Sequence, residues 1–128
     1  MVRILTAVAA IALASSIDAS ASAAIAAGDA ANGATLFSRC AACHTTTKGG
    51  ANRVGPNLFG IVGSKAGAYP GYSFSSAMQK SGIVWTETTL TSYLMSPSTV
   101  VPGNKMPFAG LERQQQAADV AAYLATLK

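Results

Sequence analysis

Residues 40–44 read Cys-Ala-Ala-Cys-His, and they hold both cysteines and the sole histidine of a 128-residue chain. No other feature narrows the possible folds so far. Two thiols separated by two residues face one way from a single helical turn, and the imidazole follows at once. C-x-x-C-H is the pattern of covalent haem attachment. The thiols add across the vinyl groups on one porphyrin edge, and the histidine meets the iron from the same side. Three other uses stay open on these residues alone. A structural zinc site takes four Cys or His ligands, and the chain offers three in all. A thioredoxin-type redox pair calls for a strand–helix–strand setting and has no need of the histidine. A simple Cys40–Cys43 disulfide would suit an exported protein.

Export is itself an expectation. Arg3 gives a positively charged start, and Ile4 to Ala14 is apolar apart from Thr6. Small residues follow up to Ala27. That order is the order of a secretory signal peptide. A membrane span needs about 20 apolar residues, and this run is interrupted by Ser15, Ser16 and Asp18. Residues 1–27 are therefore expected to be a signal peptide, cleaved between about 23 and 27, with retention as an anchor the alternative. Residues 28–128 form the expected single domain, placed in the periplasm or an equivalent compartment. A domain this small has a thin core of its own, and a large apolar cofactor would relieve that.

The formal charge is +4, but the basic residues are spread singly from Arg39 to Lys128. A nucleic-acid binder concentrates them on one element, so no nucleic-acid partner is expected. Four helical stretches can be read. Asp29 caps the first, which runs to about Cys40, with Ala30, Ala34 and Phe37 at helical spacing. The middle, 45–70, is rich in Gly and reads as loops and turns. A short helix over Ser75 to Lys80 stops at Gly82. Thr86 caps a helix over Glu87 to Met95, which Pro97 ends. The last runs from about Glu112 to Thr126, with Ala117, Val120, Ala121 and Leu124 on one face. No segment alternates with period two, so the expected class is all-α, with long loops wrapped around one covalently bound haem.

His44 stands alone, so a second histidine ligand is excluded by counting. Three methionines lie in the expected domain: Met78, Met95 and Met106. Met78 and Met95 fall in expected helices and read as packing. Met106 lies in Pro102-Gly103-Asn104-Lys105-Met106-Pro107-Phe108, an extended, proline-stiffened loop suited to bringing a soft thioether to the opposite side of the iron. His44 and Met106 are thus the expected axial ligands. Filling both axial positions favours outer-sphere electron transfer over catalysis at the metal, and a methionine ligand raises the potential.

These residues resemble class I cytochrome c, near the bacterial cytochrome c2 and mitochondrial types. The resemblance runs from Gly28-Asp29, Gly33 and Phe37 through the Cys40–His44 motif and Gly55-Pro56-Asn57-Leu58. It continues through Pro70-Gly71-Tyr72, Trp85, Tyr93-Leu94 and the Lys105-Met106 loop to Tyr123-Leu124. It implies that Cys40 and Cys43 carry the thioethers and that Gly33 lets the first helix meet the last near Tyr123. It also implies that the Pro56 carbonyl accepts a hydrogen bond from His44, fixing the ring. By the same likeness Tyr93 lies near the Met106 sulfur, Trp85 donates to a haem propionate and Phe108 shields the haem edge. The chain departs from the mitochondrial pattern at Ser64, Phe74 and Met78, where that pattern has an arginine, a tyrosine and an asparagine. The implied function is a monomeric electron carrier and not an enzyme, in a respiratory or photosynthetic chain. Its implied partners dock transiently at the exposed haem edge: a quinol-oxidising complex, a terminal oxidase, a reductase or a reaction centre. Arg39, Lys48 and Lys105 are the candidate docking cations, and the membrane is met only through partners.

Overall fold

The computed structural model describes residues 26–128. The expected signal peptide therefore lies outside the described residues, save Ala26 and Ala27. Among these residues five α-helices form: α1 (Ala30–Leu36), α2 (Ser76–Lys80), α3 (Glu87–Met95), α4 (Pro97–Val100) and α5 (Gln114–Ala125). Among the described residues there is no strand, only an isolated antiparallel bridge between Lys65 and Val84. The all-α expectation holds. No described helix is long and apolar enough to cross a membrane.

Local chemistry explains most of the boundaries. The Asp29 carboxylate accepts from the Ala31 and Asn32 N–H groups, satisfying two donors that the first turn leaves orphaned. α1 is shorter than the sequence suggests, because a 3-10 turn over Phe37–Arg39 takes over from it. Thr86 and Thr89 cap α3 reciprocally, each side chain accepting from the other's backbone N–H. Pro97 ends α3 and also opens α4, a short helix the sequence reading does not contain. Proline suits the first helical position, where its missing N–H would have had no partner and its fixed φ is already helical. Glu112 and Arg113 lie outside α5, where the Gln116 side chain accepts from the Arg113 N–H.

α1 and α3 both pack on α5. The crossing of α1 on α5 turns on Gly33: a Cβ there would overlap the Asp119 carbonyl and lie 2.9 Å from the Tyr123 Cβ. Phe37 meets Tyr123 beside it, with ring centroids 5.4 Å apart. Phe37, Leu90, Tyr93, Leu94, Val120 and Leu124 form the buried centre, all under one-tenth exposed. The segment 45–75 contains no helix. Hydrogen bonds to the rest of the chain hold it, among them Gly60 N–H to Leu127 O at 2.8 Å and Gly63 N–H to Trp85 O at 2.7 Å.

Candidate haem site

The helical turn after the 3-10 segment brings the sequence motif into shape. Ala41 N–H donates to Phe37 O and His44 N–H to Cys40 O, both at 3.0 Å. The Cys43 N–H reaches Cys40 O at the same distance. Cys40, Cys43 and His44 consequently face one cavity. The two cysteines are not joined in a disulfide.

His44 is fixed from behind. Its Nδ1 lies 2.7 Å from the Pro56 carbonyl oxygen. A carbonyl only accepts, so Nδ1 carries the proton and Nε2 keeps its lone pair. Burial lowers the His44 pKa, and the bond to Pro56 offsets part of that, so the balance favours the neutral ring that a metal ligand must be. Gly55 makes room for it, since a Cβ there would overlap the ring. Burial raises the Cys40 thiol, against the pull of the Arg39 charge beside it.

Asn57 holds this loop together and carries no role in the sequence reading. It is 0% exposed. Its Nδ2 donates to Thr45 Oγ1 at 2.7 Å and to Thr47 O at 2.9 Å. Its Oδ1 accepts from Phe59 N–H at 2.8 Å and from the Tyr69 hydroxyl at 3.2 Å. Its own N–H donates to Asn52 Oδ1 at 2.9 Å. Every hydrogen-bonding position of the amide is used, directly after the Pro56 carbonyl that orients His44. Asparagine is common in turns, so its sequence gave no sign of burial.

The other walls come from far along the chain. Trp85, Leu90, Tyr93 and Leu94 line the cavity from α3 and the residue before its cap. Trp85 and Tyr93 are 5.0 Å apart between centroids and both are buried. Burial, with a smaller repulsion from Tyr72, raises the Tyr93 hydroxyl to about 12, so it stays a neutral donor. Met106 and Phe108 line the cavity from the loop, both half-buried. Met78 also lines it, buried as the packing reading expects, whereas Met95 does not. Gly110, at a φ of 118°, lets the loop close against the end of α3, since a Cβ there would overlap the Met95 carbonyl. Ser64 donates to Ile61 O at 2.6 Å and is not part of the wall, while Phe74 is. Of the candidate docking cations, Arg39 and Lys105 reach the cavity and Lys48 does not.

Every residue expected at the site thus lies on one cavity: Cys40, Cys43, His44, Pro56, Trp85, Tyr93, Met106 and Phe108. It spans about 1210 Å³ including its open mouth. Its walls are largely apolar, with two thiols on one side and a neutral imidazole aimed inward. Among the described residues no group of three or more His, Cys, Asp or Glu side chains is placed to hold a bare metal ion, and a structural zinc site takes four ligands. A flat apolar macrocycle bringing its own four nitrogens fits this donor set.

Comparison with known proteins agrees. The family model for cytochrome c matches residues 30–128. Cytochrome c of Theileria annulata is 52% identical over 98 residues, covering 76% of this chain and 84% of that protein. Cytochrome c2 of Rhodomicrobium vannielii is 48% identical over 103 residues, covering 80% and 82%. The solved structure of cytochrome cH from Methylobacterium extorquens superposes with a TM-score of 0.72 at 46% identity, covering 77% of this chain and 99% of that one. The wrapped cavity, the helical turn of the motif and these likenesses lead to one conclusion: the chain belongs to the cytochrome c family, electron-transfer proteins, not enzymes, that carry covalently bound haem c, and its Cys40 and Cys43 lie in the C-x-x-C-H position.

Proposed function

We propose that this chain is a periplasmic single-electron shuttle in a respiratory or photosynthetic chain, with His44 and Met106 as the axial ligands. The observation carrying the ligand assignment is that His44, held by Pro56 at 2.7 Å, shares its cavity with Met106 on the extended loop, whereas Met78, which also lines it, is held within helix α2. The Met106 sulfur is the soft donor on the loop wall. Bound haem supplies the one-electron iron couple. The protein fixes the imidazole, supplies the thioether and keeps water away with apolar walls. Pre-set ligands change little between oxidation states, which suits electron transfer and disfavours reactions of oxygen or peroxide. In this reading Trp85 donates to a haem propionate, Tyr93 neighbours the Met106 sulfur and Phe108 shields the haem edge, roles their shared place on the cavity wall supports.

Partners dock transiently over the cavity mouth, where Arg39 and Lys105 provide positive charge. Arg39 already has Glu112 at 3.8 Å. Two scattered cations give weak steering and a modest salt dependence. A quinol-oxidising complex on the donor side and an oxidase, reductase or reaction centre on the acceptor side fit that surface. The apolar run at the N-terminus supports export by a signal peptide cleaved between about 23 and 27, and the resulting carrier is a monomer.

The absorption spectrum of the oxidised protein tests the ligands. The weak long-wavelength band of iron–thioether bonding should be present, persist with added peroxide and vanish in Met106→Ala. Its absence from the wild type, with prompt carbon monoxide binding by the reduced protein, would favour a gas sensor or peroxidase instead.

A further inference from the structure

We infer that Tyr72 is a clasp joining the loop behind His44 to the loop bearing Met106, and that it limits how readily the Met106 side chain swings out of the cavity. The inference rests on the assignment of Met106 as a ligand made above. Tyr72 is half-buried in the cavity wall. Its hydroxyl donates to the Val54 carbonyl at 2.7 Å. Val54 directly precedes Gly55 and Pro56, the two residues that seat the His44 ring. The face of the same phenol carries the Lys105 ammonium, 4.8 Å from the ring centroid. Lys105 directly precedes Met106. Phe74 packs edge-on against the ring, with centroids 4.8 Å apart at 72°.

The hydrogen bonds of the loop explain why such a tie matters. Asn104 donates twice to Val101 O, at 3.0 Å from both N–H and Nδ2. Met106 N–H donates to Asn104 Oδ1 and Phe108 N–H to Met106 O, both at 2.9 Å. These bonds fix the shape of the loop but bind it to itself. Beyond them, Leu111 N–H donates to Leu94 O at 2.8 Å and anchors the end of the loop on α3. The middle of the loop meets the opposite wall through Lys105 on Tyr72. One residue thereby touches the neighbours of both proposed ligands, and it is a positioning residue acting through Lys105.

An exposed cation over an aromatic face is worth a change of about two- to five-fold in an equilibrium. Two readouts on the full-length haem-loaded protein test the clasp: hydrogen exchange at the Asn104, Lys105, Met106 and Phe108 amides, and the rate at which the reduced protein binds carbon monoxide. Tyr72→Leu and Lys105→Gln should each raise both by about two- to five-fold, leaving α5 amides unchanged. The double variant should go no further than either single one, and Lys105→Arg should keep the wild-type values. Tyr72→Phe, which frees the ring from Val54 but keeps its face, should fall between. Unchanged loop exchange, multiplicative effects in the double variant, or equal acceleration in α5 would overturn the clasp. Failure of the ligand assignment reads differently: the wild type would then lack the long-wavelength band, and loop exchange would still decide whether Tyr72 holds the loop.

Discussion

Asp119→Asn isolates one buried carboxylate, and its cost can be worked from the contacts. Asp119 is 3% exposed on α5. Its Oδ1 accepts from Asp29 N–H at 2.8 Å and Gln115 Nε2 at 3.0 Å. Its Oδ2 accepts from Asn32 Nδ2 at 2.6 Å. The side chain thus stitches α5 to the cap of α1, next to the Gly33 crossing. Asparagine keeps the Oδ1 bonds as neutral ones and sets an NH2 group against Asn32, which is exposed and can turn to water. A bond to a charged group contributes about 1.5–3 kcal/mol and a neutral one about 0.5–1.5. The expected loss at pH 7 is therefore about 1–3 kcal/mol, with each kcal/mol lowering Tm by about 4–8 °C in a domain of this size. Burial acts to raise the Asp119 pKa, but the bonds from Asp29, Gln115 and Asn32 outweigh it and leave the carboxyl below its ordinary 3.8. A depressed folded pKa stabilises above the unfolded value, and that contribution fades as pH falls through the folded one. Guanidinium unfolding followed by Trp85 fluorescence should show the full gap between wild type and variant at pH 7, closing progressively below pH 3.8. A gap that is the same on both sides of that range, or absent at pH 7, would refute the charged-carboxylate account.

Two further substitutions probe the frame and the ligand seat. Gly33→Ala forces a methyl group into the Asp119 carbonyl, so α1 must lift from α5 at a cost of about 1–3 kcal/mol, read as a lowered Tm. Asn57→Ala strands the donors and acceptors of a fully buried amide and should cost about 2–4 kcal/mol. It should also raise the reduction potential, because a loosened Pro56 carbonyl leaves His44 a poorer donor to Fe(III). A potentiometric titration checks the direction.

The parts of the fold legible in the sequence are those governed by local chemistry. Asp29 and Thr86 announce helix starts by side-chain oxygens that accept from the next turn, and both cap helices; Ser75, expected as the first residue of the short helix, is instead its cap. The apolar stripe of α5 is buried as its spacing predicts. α4 was illegible because Pro97 is read as a stop, and a proline that stops one helix can start another. The C-terminal part of α1 was overextended because nothing in Phe37–Arg39 distinguishes a 3-10 turn from an α-helix. Tether and ligand candidates were legible for a different reason: the chain has so few cysteines and histidines that counting leaves little choice. What gathers them is not local. Asn57, Tyr72 and Asp119 each reach a partner 12, 18 and 90 residues away, respectively Thr45, Val54 and Asp29, and those contacts exist only once the loops are folded.

The most direct test of the account is mass spectrometry on denatured protein matured in a host able to attach haem. One haem should stay with the polypeptide through denaturation, and proteolysis should place it on the fragment holding Cys40 and Cys43. A normally folded, colourless chain with no added mass would contradict it.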